Sequence, residues 1–251
     1  MATLTFLGSS GAVPAIGHDN TYLAVEGEQS TLLIDCAGSP LQKLQLAGMD
    51  PAQLGYLILT HRHPDHMYGF PILMLGLWLL GQRSPLQVLA EPETLQTAQS
   101  LLQLFRPEEW PQFVTPVYHP VHLNGESVVI DLPDMLVTAC PTRHIIPSMA
   151  LKLVDKQSGR VVVYSSDTAP CDSVVRLARG ADALIHEASG VNTGHSTAAQ
   201  AGQVAAQAGV AKLYLIHYPA LGADLNTWLA EAQKEFAGPV ELARDFGAFD
   251  F

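Results

Sequence analysis

The sequence predicts an α/β fold in which two mixed β-sheets pack face to face with helices on their outer sides, giving four layers in the order αβ/βα. Two observations lead to this prediction. Short apolar runs typical of strands are too numerous for one doubly wound sheet, and helical patterns recur between them. In addition, several strands end at a histidine or a carboxylate, as expected where functional loops lie beyond one edge of a sheet.

The first part of the chain alternates predicted strands with turns and helices. Apolar runs predict strands at residues 4–7, 21–25, 31–35, 56–60 and 86–90. The segment Glu26–Gln29 is expected to be a hairpin connection. Helical patterns cover residues 41–47, which Gly48 ends, and residues 93–105, which Pro107 ends.

The second part follows a plan of strand, then polar residue. Predicted strands at 135–140, 161–164, 183–185 and 213–216 lead to His144, Asp167, Glu187 and His217 respectively. A further strand is expected at 128–130, and residues 149–154 and 160–164 form a predicted hairpin. Helices are expected at residues 172–179, 197–208 and 226–236. In open α/β sheets the functional crevice lies beyond one end of the strands. We therefore expect these polar residues to lie close together at one edge of a sheet.

Composition limits the class of protein. The chain of 251 residues is 48% apolar, which is enough for a substantial core, and no low-complexity linker divides it. We therefore expect one domain spanning residues 1–251. A formal net charge of −11 argues against a protein that grips long nucleic acid through clustered lysine and arginine.

The three cysteines form neither a disulfide framework nor a zinc motif, which is the pattern expected in a reducing cytoplasm. We also find no signal peptide. The longest apolar run, residues 70–80, is too short to span a membrane. We expect it to be a core helix. Its leucines cover more than one helical face, so a homodimer surface or a substrate wall is a second interpretation.

The stretch from Thr60 to His66 carries three histidines and an aspartate directly after an apolar strand. In an extended segment His61 and His63 point the same way. Pro64 prevents a helix from starting before it, so Asp65 and His66 are expected on a turn that folds back beside them. Four potential ligands at H-x-H-x-D-H spacing indicate a metal site, and two pairs of ligands suggest two metals.

Two divalent ions a few ångströms apart need about seven protein ligands and a shared water, with one carboxylate able to bridge. The chain supplies that number, and the ions would acidify the water to a hydroxide, so the predicted chemistry is hydrolysis. Histidine-rich ligation favours zinc, although manganese or iron would also be accepted. The candidate ligands are His61, His63 and His144 for one ion, Asp65, His66 and His217 for the other, and Asp167 as the bridge.

At this point the sequence resembles the metallo-β-lactamase superfamily, and more narrowly its ribonuclease Z-like branch. Residues 6–11 with Pro14 are similar to the N-terminal motif of that branch, and residues 34–37 to the Asp35-containing strand end that supports the metal loop. Residues 144–148 resemble the segment with the third histidine, and residues 166–168 contain the matching bridging aspartate. The most specific matches are the segments at 181–188 and 194–197, which most other branches lack.

The resemblance implies that His195 donates a proton to the leaving oxygen and that Glu187 orients it. Such a pair suits phosphodiesters, because their alkoxide leaving groups are poor. Helix capping is the structural alternative for His195, and a solvated strand end is the alternative for Glu187. The candidate catalytic residues are Asp65, Glu187 and His195.

One departure concerns the substrate. Members that process tRNA carry a long protruding arm between the positions matching His144 and Asp167, and here a plain hairpin joins them. We therefore expect a cytoplasmic two-metal phosphodiesterase acting on a small phosphodiester or a short RNA or DNA. An ester, lactone or thioester hydrolase with the same metal centre is the alternative. A tRNA 3′-processing endoribonuclease or a non-catalytic binding module is less favoured.

Overall fold

The computed structural model describes residues 1–29 and 31–251, and within them fourteen strands form two seven-stranded sheets. The first sheet has, in spatial order, β14 (Ala248–Asp250), β1 (Thr3–Gly8), β2 (Tyr22–Glu26), β3 (Thr31–Ile34), β4 (Leu54–Leu59), β5 (Gln87–Ala90) and β6 (Val117–Pro120). The second has β13 (Val240–Leu242), β12 (Leu213–Ile216), β11 (Ala183–Glu187), β10 (Val161–Tyr164), β9 (Met149–Asp155), β8 (Met135–Pro141) and β7 (Ser127–Asp131).

Both sheets are mixed in the same way. Strands β3 to β6 are parallel in the first sheet, and β10 to β13 are parallel in the second. The remaining neighbours pair antiparallel. Each sheet therefore has a parallel half whose strand ends point to a common edge, and this edge positions the site.

The core between the sheets follows from the alternation of side chains along each strand. In β1, Leu4 and Phe6 face the other sheet, while Leu7 belongs to the cluster beneath the helices. From the second sheet, Leu151 and Leu153 of β9 join the inner core. Burial on both faces explains why these strands are nearly continuous apolar runs.

Helices cover the outer faces of both sheets. Those over the first sheet are α1 (Pro40–Leu46), α2 (Pro64–Met67), α3 (Phe70–Leu79) and α4 (Pro92–Gln103). Those over the second are α5 (Asp172–Leu177), α6 (Ala198–Ala208) and α7 (Leu225–Glu235). Short 3₁₀ turns occur at Pro51–Gln53 and Pro107–Glu109. The predicted four-layer sandwich is confirmed.

Boundaries of the predicted elements agree with the structure to within about two residues. Three strands were missed. Strand β6 has mostly exposed side chains and contains Pro120, so it lacks an apolar signal. Strands β13 and β14 have three residues each, which is too short for a periodic pattern.

The segment after the first two histidines differs from the predicted turn. Asp65 and His66 lie in the one-turn helix α2, with Pro64 at its first position. Proline is favoured there because its fixed φ suits a helix and its missing N–H is not needed. The following helix α3 is a core helix as predicted, since Phe70, Leu73, Met74 and Leu77 are buried.

Among the described residues, no helix combines the length and the apolar character needed to cross a bilayer.

Candidate metal centre

Seven histidine and aspartate side chains from four separate segments meet beyond the ends of the strands. They follow β4, β8, β10 and β12, as the strand-end argument predicts. In each of two groups the candidate donor atoms lie within 4.8 Å of one another. The groups are His61, His63, His144 and Asp167, and Asp65, His66 and His217.

The first group has the spacing of a tetrahedral site. His63 Nδ1 lies 3.0 Å from His61 Nε2 and 3.1 Å from His144 Nε2. Asp167 Oδ2 lies 3.6 Å from His61 Nε2 and 3.9 Å from His144 Nε2. Zinc bonded tetrahedrally at ~2.0–2.1 Å would hold its ligands about 3.3 Å apart. The four atoms therefore fit one cation with little adjustment.

The second group is arranged similarly. His217 Nε2 lies 3.3 Å from His66 Nε2 and 3.4 Å from Asp65 Oδ2. Asp167 Oδ1 lies 3.5 Å from His66 Nε2 and 3.6 Å from His217 Nε2. The two oxygens of Asp167 thus face different groups, which is the geometry of a bridging carboxylate.

The environment of Asp167 Oδ1 also fits a cation ligand. The atom is buried and lacks a hydrogen-bond partner among the described residues. A buried carboxylate oxygen without a partner is costly unless it is paired or coordinates a metal. The donor set and this oxygen together fit a pair of divalent cations.

Hydrogen bonds fix the ring orientation of four of the histidines. In each, one ring nitrogen bonds to a neighbour outside the cluster, so the other is left to face the centre. The pairs are His61 Nδ1 with Thr60 Oγ1 at 3.0 Å, His66 Nδ1 with Asp35 Oδ2 at 2.8 Å, His144 Nδ1 with the Gly194 carbonyl at 2.8 Å, and His217 Nδ1 with Ser189 Oγ at 2.7 Å.

The backbone around the centre is strained at three positions that carry side chains. Asp35, Ser166 and His217 have φ values of 63°, 51° and 54°, in the left-handed region that non-glycine residues rarely adopt. All three follow strands that end at the site. Such conformations cost about 1–3 kcal/mol each and cluster at functional sites.

The charges of the centre suit cation binding. Burial lowers the pKa of His61 well below its usual range, which keeps the ring neutral as a ligand. Burial alone would raise the pKa of Asp167, but the neighbouring His217 and His66 outweigh it and hold this pKa well below the ordinary value. Burial alone would lower the pKa values of His66 and His217, but the charge of Asp167 outweighs it and raises both. Neutral imidazoles and ionised carboxylates are the forms that bind metals, so a cation that binds here would displace protons from His66 and His217.

Asp35 supports the metal loop from beneath. Its fully buried carboxylate accepts hydrogen bonds from His66 Nδ1 and from the backbone N–H and hydroxyl of Thr60. One carboxylate therefore anchors both the start and the end of the histidine motif. Its place beneath His66 agrees with the supporting role expected for the strand end.

We expect Asp35→Asn to weaken metal binding about 10- to 100-fold, because an amide cannot accept from both His66 and Thr60 as a carboxylate does. Asparagine tolerates the left-handed backbone at this position, so the fold should persist. Titration against a chromogenic chelator measures the change. The control is Asp50→Asn, which alters an exposed cap of a 3₁₀ turn. Equal affinities in both variants would refute the supporting role.

Glu187 and His195 form a hydrogen-bonded pair beside the cluster. His195 Nδ1 donates to Glu187 Oε1 at 2.8 Å and lies 3.9 Å from Asp167 Oδ2. Glu187 is fully buried at the end of β11 and also accepts from the backbone N–H groups of Thr168 and Ser189. The carboxylate is therefore held by three donors, and it is not a solvated strand end.

Nδ1 of His195 is occupied by Glu187, so its Nε2 remains for a substrate. The ring is partly exposed and lines a cavity next to the cluster. Burial alone would lower the pKa of His195, but the hydrogen bond and the charge of Glu187 outweigh it and raise the pKa. Helix capping does not explain this residue, because Thr197 and Gln200 form the capping box of α6.

Sequence analysis missed Ser189, although it contacts a candidate ligand. Its hydroxyl accepts from His217 Nδ1 and donates to the His217 carbonyl at 2.9 Å. Its backbone N–H donates to Glu187, so it connects the proposed acid pair with the second group. The serine stands two residues after Glu187, and this proximity is the one signal that the sequence offers.

Two groups of candidate metal ligands beyond the strand ends of an αβ/βα sandwich are the arrangement of a metal-dependent hydrolase. Residues 30–218 match the model of the beta-lactamase superfamily domain, and the chain belongs to this superfamily. The enzyme class and the ribonuclease Z-like resemblance expected from the sequence are confirmed.

Relatives support this assignment along most of the chain. The sequence is 28% identical to a ribonuclease Z of Mycobacterium bovis, with 98% of this chain and 96% of the relative aligned. It is 27% identical to the ribonuclease Z of Methanothermobacter thermautotrophicus, with 86% of each chain aligned.

Solved structures share the fold. The short form of human tRNase Z superposes with a TM-score of 0.80 at 22% identity, over 99% of this chain and 98% of the other. A diphosphatase of the PhnP family superposes with a TM-score of 0.76 at 20% identity, over 100% and 98%. These similarities establish an architecture that this chain shares with both proteins.

Proposed function

We propose that residues 1–251 form a single domain that hydrolyses phosphodiesters with a dinuclear metal centre. The observation that carries the proposal is the pair of His195 and Glu187, joined at 2.8 Å and placed beside the bridging Asp167. Alkoxides are poor leaving groups, so their departure benefits from a positioned acid, worth about 10²–10⁴ in rate. The ribonuclease Z relatives support the same class of bond.

The proposed ligands of the first cation are His61, His63 and His144, those of the second are Asp65, His66 and His217, and Asp167 is shared. Zinc is the proposed metal, with manganese or iron as alternatives, since the set is rich in imidazole. When bound, the cations would acidify water and neutralise charge on the phosphoryl group.

The protein's own residues supply the proton and the alignment. His195 Nε2 donates its proton to the leaving oxygen, and Glu187 keeps the ring in the tautomer and orientation that this requires. Ser189 holds the His217 ring, which stacks beside His195 and lines the same cavity, through a hydrogen bond to Nδ1. The orientation of the Glu187 carboxylate is fixed, because each of its two oxygens accepts a hydrogen bond from a backbone N–H.

We propose a small phosphodiester or a short RNA or DNA as substrate, and not folded tRNA. Strands β9 and β10 pair antiparallel and are joined by residues 156–160 alone, so the hairpin carries no protruding arm. The net charge of −11 adds to this argument, because binding a long phosphate backbone relies on clustered cations.

One preparation of wild-type protein tests the proposal in two assays. Elemental analysis should give about two divalent metals per chain. A panel of phosphodiesters, carboxylic esters, lactones and thioesters at equal concentration should show turnover of the phosphodiesters, with the carbonyl substrates at least about tenfold slower. Faster hydrolysis of the lactones or thioesters would replace this proposal with the carbonyl hydrolase.

We also propose a homodimer formed through α3 and the residue after it. Ile72, Leu79 and Leu80 remain between 53% and 69% exposed, although Phe70, Leu73, Met74 and Leu77 of the same helix are buried. Exposed apolar side chains grouped on one helix are typical of subunit contacts. Light scattering should give about twice the chain mass of 27.0 kDa. Ile72→Lys should then return the protein to a monomer, and a wild-type monomer would refute the dimer.

A cytoplasmic location is part of the proposal as well. Cys36, Cys140 and Cys171 are all unpaired in the structure. Free thiols of this kind are typical of reducing compartments.

A further inference from the structure

A cavity of about 400 Å³ opens directly beside the proposed acid. His195 and His217 form its inner wall, and both belong to the site described above. Its outer wall consists of Ala12, Val13, Pro219 and Leu221. The volume lies within the ~300–1,000 Å³ typical of small-molecule sites.

The lining of this cavity carries no Lys, Arg, Asp or Glu among the residues that the structure describes. Two polar side chains besides the histidines reach it. Ser189 is already engaged with His217, and Asn192 stands exposed at the opening. A charged ligand group that reached past the histidines would lose hydration here without meeting a lysine, arginine or carboxylate, which is unfavourable.

Apolar side chains at the mouth are unusually exposed. Val13 is 60% exposed and Leu221 is 66% exposed, so each has surface left to bury against a ligand. Ile145 and Val191 lie in the loops that carry His144 and His195, and they are 60% and 94% exposed. Exposed apolar side chains that lie together mark a binding site more often than scattered ones do.

The position of His195 decides which part of a substrate enters the cavity. The scissile phosphate must lie at the seven candidate ligands, and the cavity borders them directly, because His195 and the candidate ligand His217 both line it. Since Nε2 of His195 serves the leaving oxygen, the group attached to that oxygen must extend into the cavity. This step rests on the proposed function.

We infer that the substrate is a small phosphodiester whose leaving group is an uncharged, mainly apolar alcohol or phenol. Water forms the new bond to phosphorus as the bond to the leaving oxygen breaks. The leaving oxygen takes the Nε2 proton of the protonated His195 and departs as a neutral alcohol, and the proton lost by water protonates the imidazole again, leaving a phosphomonoester. A nucleotide chain does not suit this cavity, because its phosphates would meet no cation.

A matched pair of substrates tests the inference. Methyl 3-phenylpropyl phosphate and methyl 3-sulfopropyl phosphate release primary alcohols of similar basicity that differ in charge and apolar area. With metal-loaded wild-type protein, kcat/KM should favour the phenylpropyl ester at least about tenfold. Calorimetry with the non-hydrolysable methyl(4-phenylbutyl)phosphinate and its 4-sulfobutyl analogue should give the same preference in binding.

Variants at the mouth locate the effect. Leu221→Asn should reduce the preference about threefold or more, because it removes apolar contact with little change in size. Leu221→Lys should raise kcat/KM for the sulfopropyl ester by supplying the cation that the wall lacks. The control is Val128→Thr on β7, which alters a residue of equal exposure (64%) on an edge strand and should leave both rates unchanged.

The outcomes separate this inference from the proposed function. Equal kcat/KM for the two esters, or a preference for the sulfopropyl ester, would overturn the apolar leaving group and leave the phosphodiesterase standing. A preference that persists unchanged in Leu221→Asn and Leu221→Lys would also overturn it, since the cavity would not be its source. Hydrolysis of neither ester, nor of any activated phosphodiester, would refute the proposed function and this inference together.

Discussion

Replacing Asp167 by asparagine is expected to lower kcat/KM for phosphodiesters by at least about 10³, because bound cations contribute several kcal/mol and about 1.4 kcal/mol is tenfold in rate. The side chain keeps its volume but loses the charge that both groups of ligands share. One amide oxygen can still serve one group, whereas the amide nitrogen cannot bind a cation. Metal content should fall from about two to at most about one per chain.

A matched variant distinguishes this effect from general damage to a buried carboxylate. Asp155 is equally buried, but it lies at the end of β9 and accepts from the backbone of Ala2 and Gln157. We expect Asp155→Asn to lower the free energy of unfolding and to leave metal content and turnover per folded molecule unchanged. Full metal content in Asp167→Asn would show that this residue is not a bridging ligand.

Removing the imidazole of His195 is expected to slow hydrolysis of an alkyl phosphodiester about 10²- to 10⁴-fold. An activated 4-nitrophenyl ester should be affected far less, because its leaving group needs little protonation. Metal content should stay at the wild-type level, since Glu187 and not a cation holds Nδ1. Steady-state rates on both esters and elemental analysis of His195→Ala measure these effects.

Two further variants complete this test. Glu187→Gln should reproduce the loss on the alkyl ester in weaker form, because an amide orients the ring without balancing the charge of a protonated imidazole. His119→Ala is the control, since the side chain of that histidine is exposed on β6 and bonds to Gln87, away from the candidate ligands. If His195→Ala kept the full rate on the alkyl ester, the proton-donor role would be wrong.

The sequence predicted the parts of the site that depend on local spacing or on strand ends. His61, His63, Asp65 and His66 stand in one short motif, so their proximity follows from chain geometry alone. His144, Asp167 and His217 are far apart in sequence, but each follows a strand of the second sheet. Parallel strands bring such positions to one edge, and the structure brings all seven together.

Other features could not be predicted because they depend on exact backbone positions. The partner of His144 is the carbonyl of Gly194, and a carbonyl has no signature in a sequence. The hydrogen bond between Ser189 and His217 depends on the left-handed backbone at His217, which a sequence does not reveal. The short strands β13 and β14 form because neighbouring strands offer free edges, and their own residues carry little pattern.

Anomalous diffraction from crystals of zinc-loaded protein, recorded on both sides of the zinc absorption edge, tests the dinuclear centre most directly. We predict two anomalous peaks per chain, each about 2.0–2.2 Å from its ligand atoms. One should lie among His61, His63 and His144, the other among Asp65, His66 and His217, with an oxygen of Asp167 on each. A single peak, or peaks away from these side chains, would contradict the account.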